Sequence, residues 1–205
     1  MHPKNSVIMS KAEQTRQFIV EKTAPIFNKK GYFATSLSDI TTATGLTKGS
    51  IYGNFKDKDD LALQVYSYQS KKIANAVEQQ ISPHRTALKK LFAFFDFYKE
   101  NFKNIAASGG CPLMNAAVEV DDSLPFLTPK VKRSFTLWKE RLISILDEGI
   151  KNGEFKKHIS TEQFAIIFMA MIEGGILLAK ISGRAKDLSI VLDNMKDMVD
   201  REIKI

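Results

Sequence analysis

The sequence predicts an all-α protein of about nine helices. Three observations carry this. Apolar residues recur at three- and four-residue spacing, the polar breaks between them carry helix-capping chemistry, and no alternating polar and apolar run marks a strand. From Lys11 to Lys30, Phe18, Ile19, Ala24, Ile26 and Phe27 lie on one stripe, and Gly31 ends the segment. Thr35 or Ser36 caps a short second helix, LSDITTAT, with Leu37, Ile40 and Ala43 inward. Gly45 closes it, because glycine tolerates the left-handed conformation a sharp corner needs, and Leu46 plugs that corner. Thr47 caps a third short helix running through Phe55, and KDKDD supplies acids for the start of a fourth, from about Lys58 to Gln80. Ser82 as cap and Pro83 in the first helical position open a fifth. NIAASGG reads as a loop, CPLMNAAVEV restarts a helix at Pro112, and DDSLPFLTPK reads as a broken connection. A long helix follows from about Lys130 to Asn152. Ser160 with Gln163 forms a capping box for the next, which ends near Gly183, and Asp187 to Ile203 gives the last.

Charge divides the chain. The 205 residues carry a net +7, yet residues 1–56 hold eight basic against three acidic side chains, and residues 57–205 hold 22 against 20. A compact basic module, 1–56, joined to a near-neutral body, 57–205, is the footprint of a nucleic-acid contact surface. The single cysteine excludes an intrachain disulfide and points to the cytoplasm. The N-terminal MHPKNSVIMSKAEQTR has no apolar core of a signal peptide. FAIIFMAMIEGGILLAKI is broken by Glu173 and reads as a buried or interface helix, so no membrane association is expected. His2, His84 and His158 are scattered, and Asp59-Asp60 and Asp121-Asp122 read as helix-start acids. With no metal spacing, nucleophile elbow or glycine-rich phosphate loop, neither an enzyme nor a cofactor or metal is expected.

GLTKGSIYGNF is the most informative stretch. A short helix, a glycine turn and a second short helix make a helix-turn-helix, whose second helix lies in the DNA major groove with its N-terminal residues toward the bases. Small residues there let backbone N–H groups and short hydroxyls approach phosphates and base edges. Thr47, Lys48, Gly49 and Ser50 suit that entering end, with base contact assigned to Lys48 and Ser50. Ile51 and Phe55, four apart, fasten the inner face. Tyr52 brings a hydroxyl to a phosphate, and Lys56 meets the far side of the groove.

These residues carry a resemblance. TSLSDITTATGLTKGSIYGNFKDKDDL resembles the DNA-binding domain of the TetR family of bacterial regulators, with Thr35, Leu37, Ile40, Ala43, Gly45, Leu46, Thr47, Gly49, Ile51, Tyr52, Phe55 and Lys58 filling the pattern. Ala43 is displaced by one position, and the match covers about residues 10–60. The stretch departs from the pattern at Gly53-Asn54. Gly53 costs about 1 kcal/mol of helix stability relative to alanine, so the recognition helix is expected to end early or adjust on binding, with Asn54 among the DNA-facing residues. The resemblance implies a cytoplasmic homodimer on a near-palindromic double-stranded operator, usually a repressor released by a small molecule bound in the body. Helix N-terminus chemistry extends phosphate contact to Thr35 or Ser36. The alternative is a helical adaptor of the same fold that has lost operator binding.

In the body, the fifth helix is apolar nearly all round. Leu88, Leu91, Phe92, Phe95 and Phe102 form one stripe, while Phe94 and Phe97 point elsewhere. Such a helix has core on one side and room for a cavity on the other. Phe94, Phe97, Met114, Phe126, Phe135 and Trp138 are its candidate lining, with Asn115 or Glu119 as polar handle. Plain core packing is the competing reading. The last two helices supply a dimer interface through Phe164, Phe168, Met171, Gly175 and Leu178, and through Leu188, Val191, Leu192, Met195 and Val199. Gly174-Gly175 permits close backbone approach there, or marks a kink beside the pocket. Cys111, at a helix start, is either an inert buried thiol or a sensor whose lowered pKa makes it reactive toward oxidants and electrophiles. The effector is accordingly expected to be apolar or electrophilic.

Overall fold

The computed structural model describes residues 10–120 and 124–205. His2, Asp121-Asp122 and most of the segment read for a leader lie outside the described residues. These contain nine α-helices: α1 Lys11–Lys30, α2 Leu37–Thr44, α3 Lys48–Asn54, α4 Lys58–Ile81, α5 Ala87–Ala107, α6 Pro112–Val120, α7 Thr128–Lys151, α8 Thr161–Ser182 and α9 Ala185–Met198. Extended pairing among them is limited to an isolated bridge between Phe155 and Lys204.

Capping explains most boundaries. Ser10 and Glu13 exchange hydrogen bonds at the start of α1, and Ser36 and Asp39 do so at α2. The Thr47 hydroxyl accepts from the Ser50 N–H at 3.2 Å to open α3. Gly45 sits at φ +69°, the left-handed corner the sequence requires. Several boundaries differ from expectation. Ser82 closes α4, its N–H reaching Glu78 O at 2.8 Å, and α5 begins later, at Ala87 after Thr86. The Glu154 carboxylate accepts from the N–H groups of Ala87 and Leu88, both at 3.0 Å, satisfying the start of α5 from 66 residues away or more. At the other end, α9 stops at Met198 and Val199–Ile203 continue as one wider π-helical turn.

Two apolar clusters result. One lies under the N-terminal helices and joins Ile19, Phe27, Ile40, Ile51 and Phe55 to Leu61, Val65 and Tyr66 of α4 and to Ala116 of α6. The buried stripe of α1 runs through Val20 and Thr23, while Phe18 faces solvent beneath Lys22. The other cluster fills the body between α5, α7, α8 and α9, with Leu91, Phe94, Phe95, Phe97 and Phe102 all buried. Thus α5 is enclosed on several sides, as its all-round apolarity requires. Helix α8 is long and apolar enough by composition to cross a membrane, but it packs against α7 and α9 and buries Glu173 near its middle.

This packing corrects the expected dimer face. Phe168, Leu188, Leu192, Met195 and Val199 are completely buried within the protomer and Gly175 is buried against α9; Phe164, Met171 and Val191 are half-buried against the same core. A Cβ on Gly175 would stand 2.8 Å from Leu188 Cδ1, so this glycine serves the contact between α8 and α9 of one chain. Of the expected set, Leu178 remains exposed, at 59%. It belongs to another stripe of α8, through Ile166, Ala170, Gly174, Leu177, Leu178 and Ile181, beside which Ile190 of α9 is also exposed.

Candidate nucleic-acid interface and body cavity

The entering end of α3 faces outward. Thr47, Lys48, Gly49, Tyr52 and Lys56 are exposed, as is Ser36 at the start of α2, while Ser50 and Asn54 are half-buried. Ile51 and Phe55 are buried beneath them. Lys48 Nζ sits 5.9 Å over the Tyr52 ring. A Cβ at Gly49 would meet nothing nearer than Thr47 Oγ1 at 3.9 Å, and one at Gly53 would meet nothing within 4 Å. Among the described residues, no contact explains two glycines on this short helix. The helix ends at Asn54, one residue before the expected Phe55. Asn54 Nδ2 donates to Ser50 O at 2.9 Å, so its amide is partly engaged inside the helix.

Thr35 must be removed from the set of phosphate-contacting side chains. It is fully buried, and its hydroxyl donates to Gly31 O at 2.6 Å. Ser36 alone of that pair is exposed. Two supporting residues escaped the sequence reading. Arg16 of α1 donates to Asn54 O and lays its guanidinium 4.7 Å over the Phe55 ring, fixing the far end of α3. Lys58, seen as part of a pattern without a role, donates from Nζ to Phe33 O at 2.9 Å and Thr35 O at 3.1 Å. It thereby ties the turn before α2 to the start of α4. The surplus of positive charge in residues 1–56 was a legible hint for Arg16 only, and partner carbonyls leave no trace in a sequence.

A cavity of about 390 Å³ lies in the body among α4, α5, α6 and α7. Phe94 and Trp138 line it as expected, together with Tyr98, Cys111, Leu113 and Leu137. Aromatic contacts order the wall: Phe94 and Tyr98 are 5.9 Å apart between centroids, Tyr98 and Trp138 6.2 Å. The other expected lining residues stand elsewhere. Phe97 packs edge-on behind Tyr98 at 5.2 Å, Met114 is half-buried against the body core, Phe135 supports Trp138 at 6.2 Å, and Phe126 joins the N-terminal cluster.

Asn115 and Glu119 are not polar handles of the cavity. They lie one helical turn apart on α6 and hold the N-terminal module to the body. Asn115 Nδ2 donates to Asn28 Oδ1 at 2.9 Å and to Gly109 O at 3.0 Å. The Glu119 carboxylate accepts from the N–H groups of Tyr32 and Phe33, both at 2.9 Å. Gly31 makes room for it: a Cβ there, at φ +94°, would lie 2.9 Å from both carboxylate oxygens. Because the carboxylate satisfies two backbone donors, Glu119→Gln is expected to lower the stability of the protein by about 2 kcal/mol. Urea denaturation would show this as a lower midpoint; an unchanged midpoint would mean the clamp contributes nothing.

Cys111 does not have the environment of a reactive thiolate. It stands at the start of α6, yet burial, followed by the neighbouring Glu173, pushes its thiol well above the ordinary range. Backbone N–H groups of Met114 and Leu113 act in the opposite sense without prevailing. This favours the inert buried thiol of the two readings, although Cys111 borders the cavity.

A helix-turn-helix module, packed through α4 and α6 onto a larger helical body with an apolar cavity, is the architecture of a DNA-binding regulator. The comparisons identify the family. Residues 19–65 match the bacterial regulatory proteins, tetR family, and residues 87–195 match the tetracyclin repressor-like C-terminal domain. The chain belongs to the TetR family of bacterial transcriptional regulators. It is 33% identical to a TetR-family regulator from Cytophaga hutchinsonii, with a TM-score of 0.87, covering 96% of this chain and 98% of that one. A TetR regulator from Chloroflexus aurantiacus J-10-FL gives 30% identity and a TM-score of 0.91, covering 96% and 100%. Among named relatives, the HTH-type transcriptional repressor DhaR of Mycobacterium sp. (strain GP1) is 26% identical over 177 residues, 84% of this chain and 86% of the relative.

Proposed function

We propose that the protein is a cytoplasmic repressor that binds a near-palindromic operator as a homodimer and releases it when a small, largely apolar molecule fills the body cavity. The observation that carries the DNA contact is the outward end of α3. Lys48, Ser50 and Tyr52 stand there beside two glycines whose small size no neighbour among the described residues requires. That leaves backbone room for a duplex. Ser36 and Lys56 flank it as phosphate contacts, and Thr47 contributes its place at the helix entry. The outward stripe of α8 supports pairing of two copies, since an exposed apolar helix face on a regulator of this kind marks an interaction surface. The name of the relative DhaR supports repression as the direction of control.

The test is a salt titration of binding to inverted-repeat DNA from the protein's own upstream region. Binding is expected to weaken steeply with salt, and Lys48→Ala to flatten the logarithmic slope by about one unit if that lysine neutralises one phosphate. Failure to bind any inverted repeat at low salt would favour the helical adaptor instead.

A further inference from the structure

We propose that the effector is an amphiphilic anion: one aliphatic or aryl chain ending in a carboxylate or phosphate. This rests on the release reading above and names the ligand class of the same cavity. The inner wall is uncharged and largely aromatic, formed by Phe94, Tyr98, Leu113 and Trp138. It suits a hydrocarbon body. Charge is confined to the mouth. There Arg141 is already matched, its Nε and an Nη donating to both oxygens of Glu78 at 2.8 and 2.9 Å. Lys71 stands at the same mouth, exposed, and no acid pairs with it among the described residues.

The surface continues past Lys71 into a second depression of about 600 Å³ beside α1 and α4, which shares Lys71 and Asn75 with the cavity. Its lining adds Lys72 and the amides of Gln17, Gln64 and Gln79, with no acidic residue among the described ones. Lys72 is placed 5.6 Å over the Tyr68 ring at this groove. An apolar chamber thus opens onto a shelf with two lysines and the Gln79 amide, while Gln17 Nε2 donates to Glu21 at 2.7 Å and Gln64 Nε2 to Asp60 at 3.5 Å. A neutral molecule leaves these lysines unused and a cation is repelled by them. A molecule with an apolar chain and an anionic head meets both halves.

Four probes with the same ten-carbon chain separate the possibilities: decanoate, decyl phosphate, decanol and decyltrimethylammonium. Each would be titrated calorimetrically into the full-length protein below its micellar concentration, with Lys71→Gln/Lys72→Gln as the variant. Decanoate or decyl phosphate is expected to bind about tenfold more tightly than decanol, and the cation more weakly still. The variant should lose about that tenfold for the anion and nothing for decanol. Preference between the two anions identifies the head group as carboxylate or phosphate. Decanol binding as tightly as both anions, an unchanged anion affinity in the variant, or binding of none of the four would overturn the proposal. A parallel operator-release assay keeps the readings apart. Anion binding that leaves the DNA complex intact upholds the ligand class and removes the release mechanism; operator binding without anion binding does the reverse.

Discussion

Leu178→Glu combined with Ile181→Glu is expected to turn the protein into a monomer and to weaken operator binding by a factor of about 10² to 10⁴. Both side chains point out of the protomer, at 59% and 76% exposure, so the fold loses no core contact. Pairing through this stripe would bury four carboxylates without partners, two from each copy, against the apolar neighbours Leu177 and Ile166. A single head group on a half-site then lacks the gain from a tethered second contact. Light scattering reads the mass, circular dichroism checks that the helices persist, and DNA titration reads the affinity. A folded double variant that remains dimeric would exclude this face. The contrast with Phe168→Glu is informative, because that residue is completely buried and its substitution is expected to unfold the body instead.

Glu173→Gln is expected to stabilise the protein at alkaline pH. The Glu173 carboxyl lies buried on α8 with no hydrogen-bond partner for Oε1 among the described residues, and burial raises its pKa to about 7. A hydrogen bond from the Cys111 thiol acts in the other direction but is the smaller influence. The folded protein therefore keeps a proton that the unfolded chain releases near the ordinary carboxylate value. Between those two values the native state binds more protons, so raising the pH favours unfolding, and the full penalty is present above about pH 7. The difference from the ordinary value of 4.5 corresponds to roughly 3 kcal/mol. Urea midpoints near pH 5 and pH 8 should show the wild type losing stability relative to the glutamine variant as pH rises. A constant gap between the two proteins would mean the carboxyl does not titrate in that window.

Much of the fold was legible because its signals are local. Capping residues at 36, 47 and 160 and the left-handed Gly45 act within a turn or two of themselves, and the structure places helix ends there. The recognition helix was legible for the same reason: Thr47, Ile51 and Phe55 follow from spacing alone. What failed depends on contacts between distant segments. Glu154 moves the start of α5, Gly31 and Glu119 meet across 88 positions, and Thr35 is covered by its surroundings. The stripe expected to pair two copies is interior for another reason. Helix α8 is apolar on several sides, so periodicity identified a face of Phe168 and Gly175 without revealing that α9 of the same chain covers it. The cavity was half legible, since aromatic residues on an all-round apolar helix announce enclosure without saying which ring borders empty space.

The brevity of α6 has a mechanical consequence. Nine residues extend only about 13 Å, less than three turns, with Pro112 at one end and Val120 at the other. A rod so stubby has little length over which to flex, so a push at either tip would move it as one piece. Leu113 borders the chamber near one tip and Glu119 grips the opposite module near the other. A nudge delivered at the first would reach the second almost undiminished, making this segment a stiff pushrod rather than a spring.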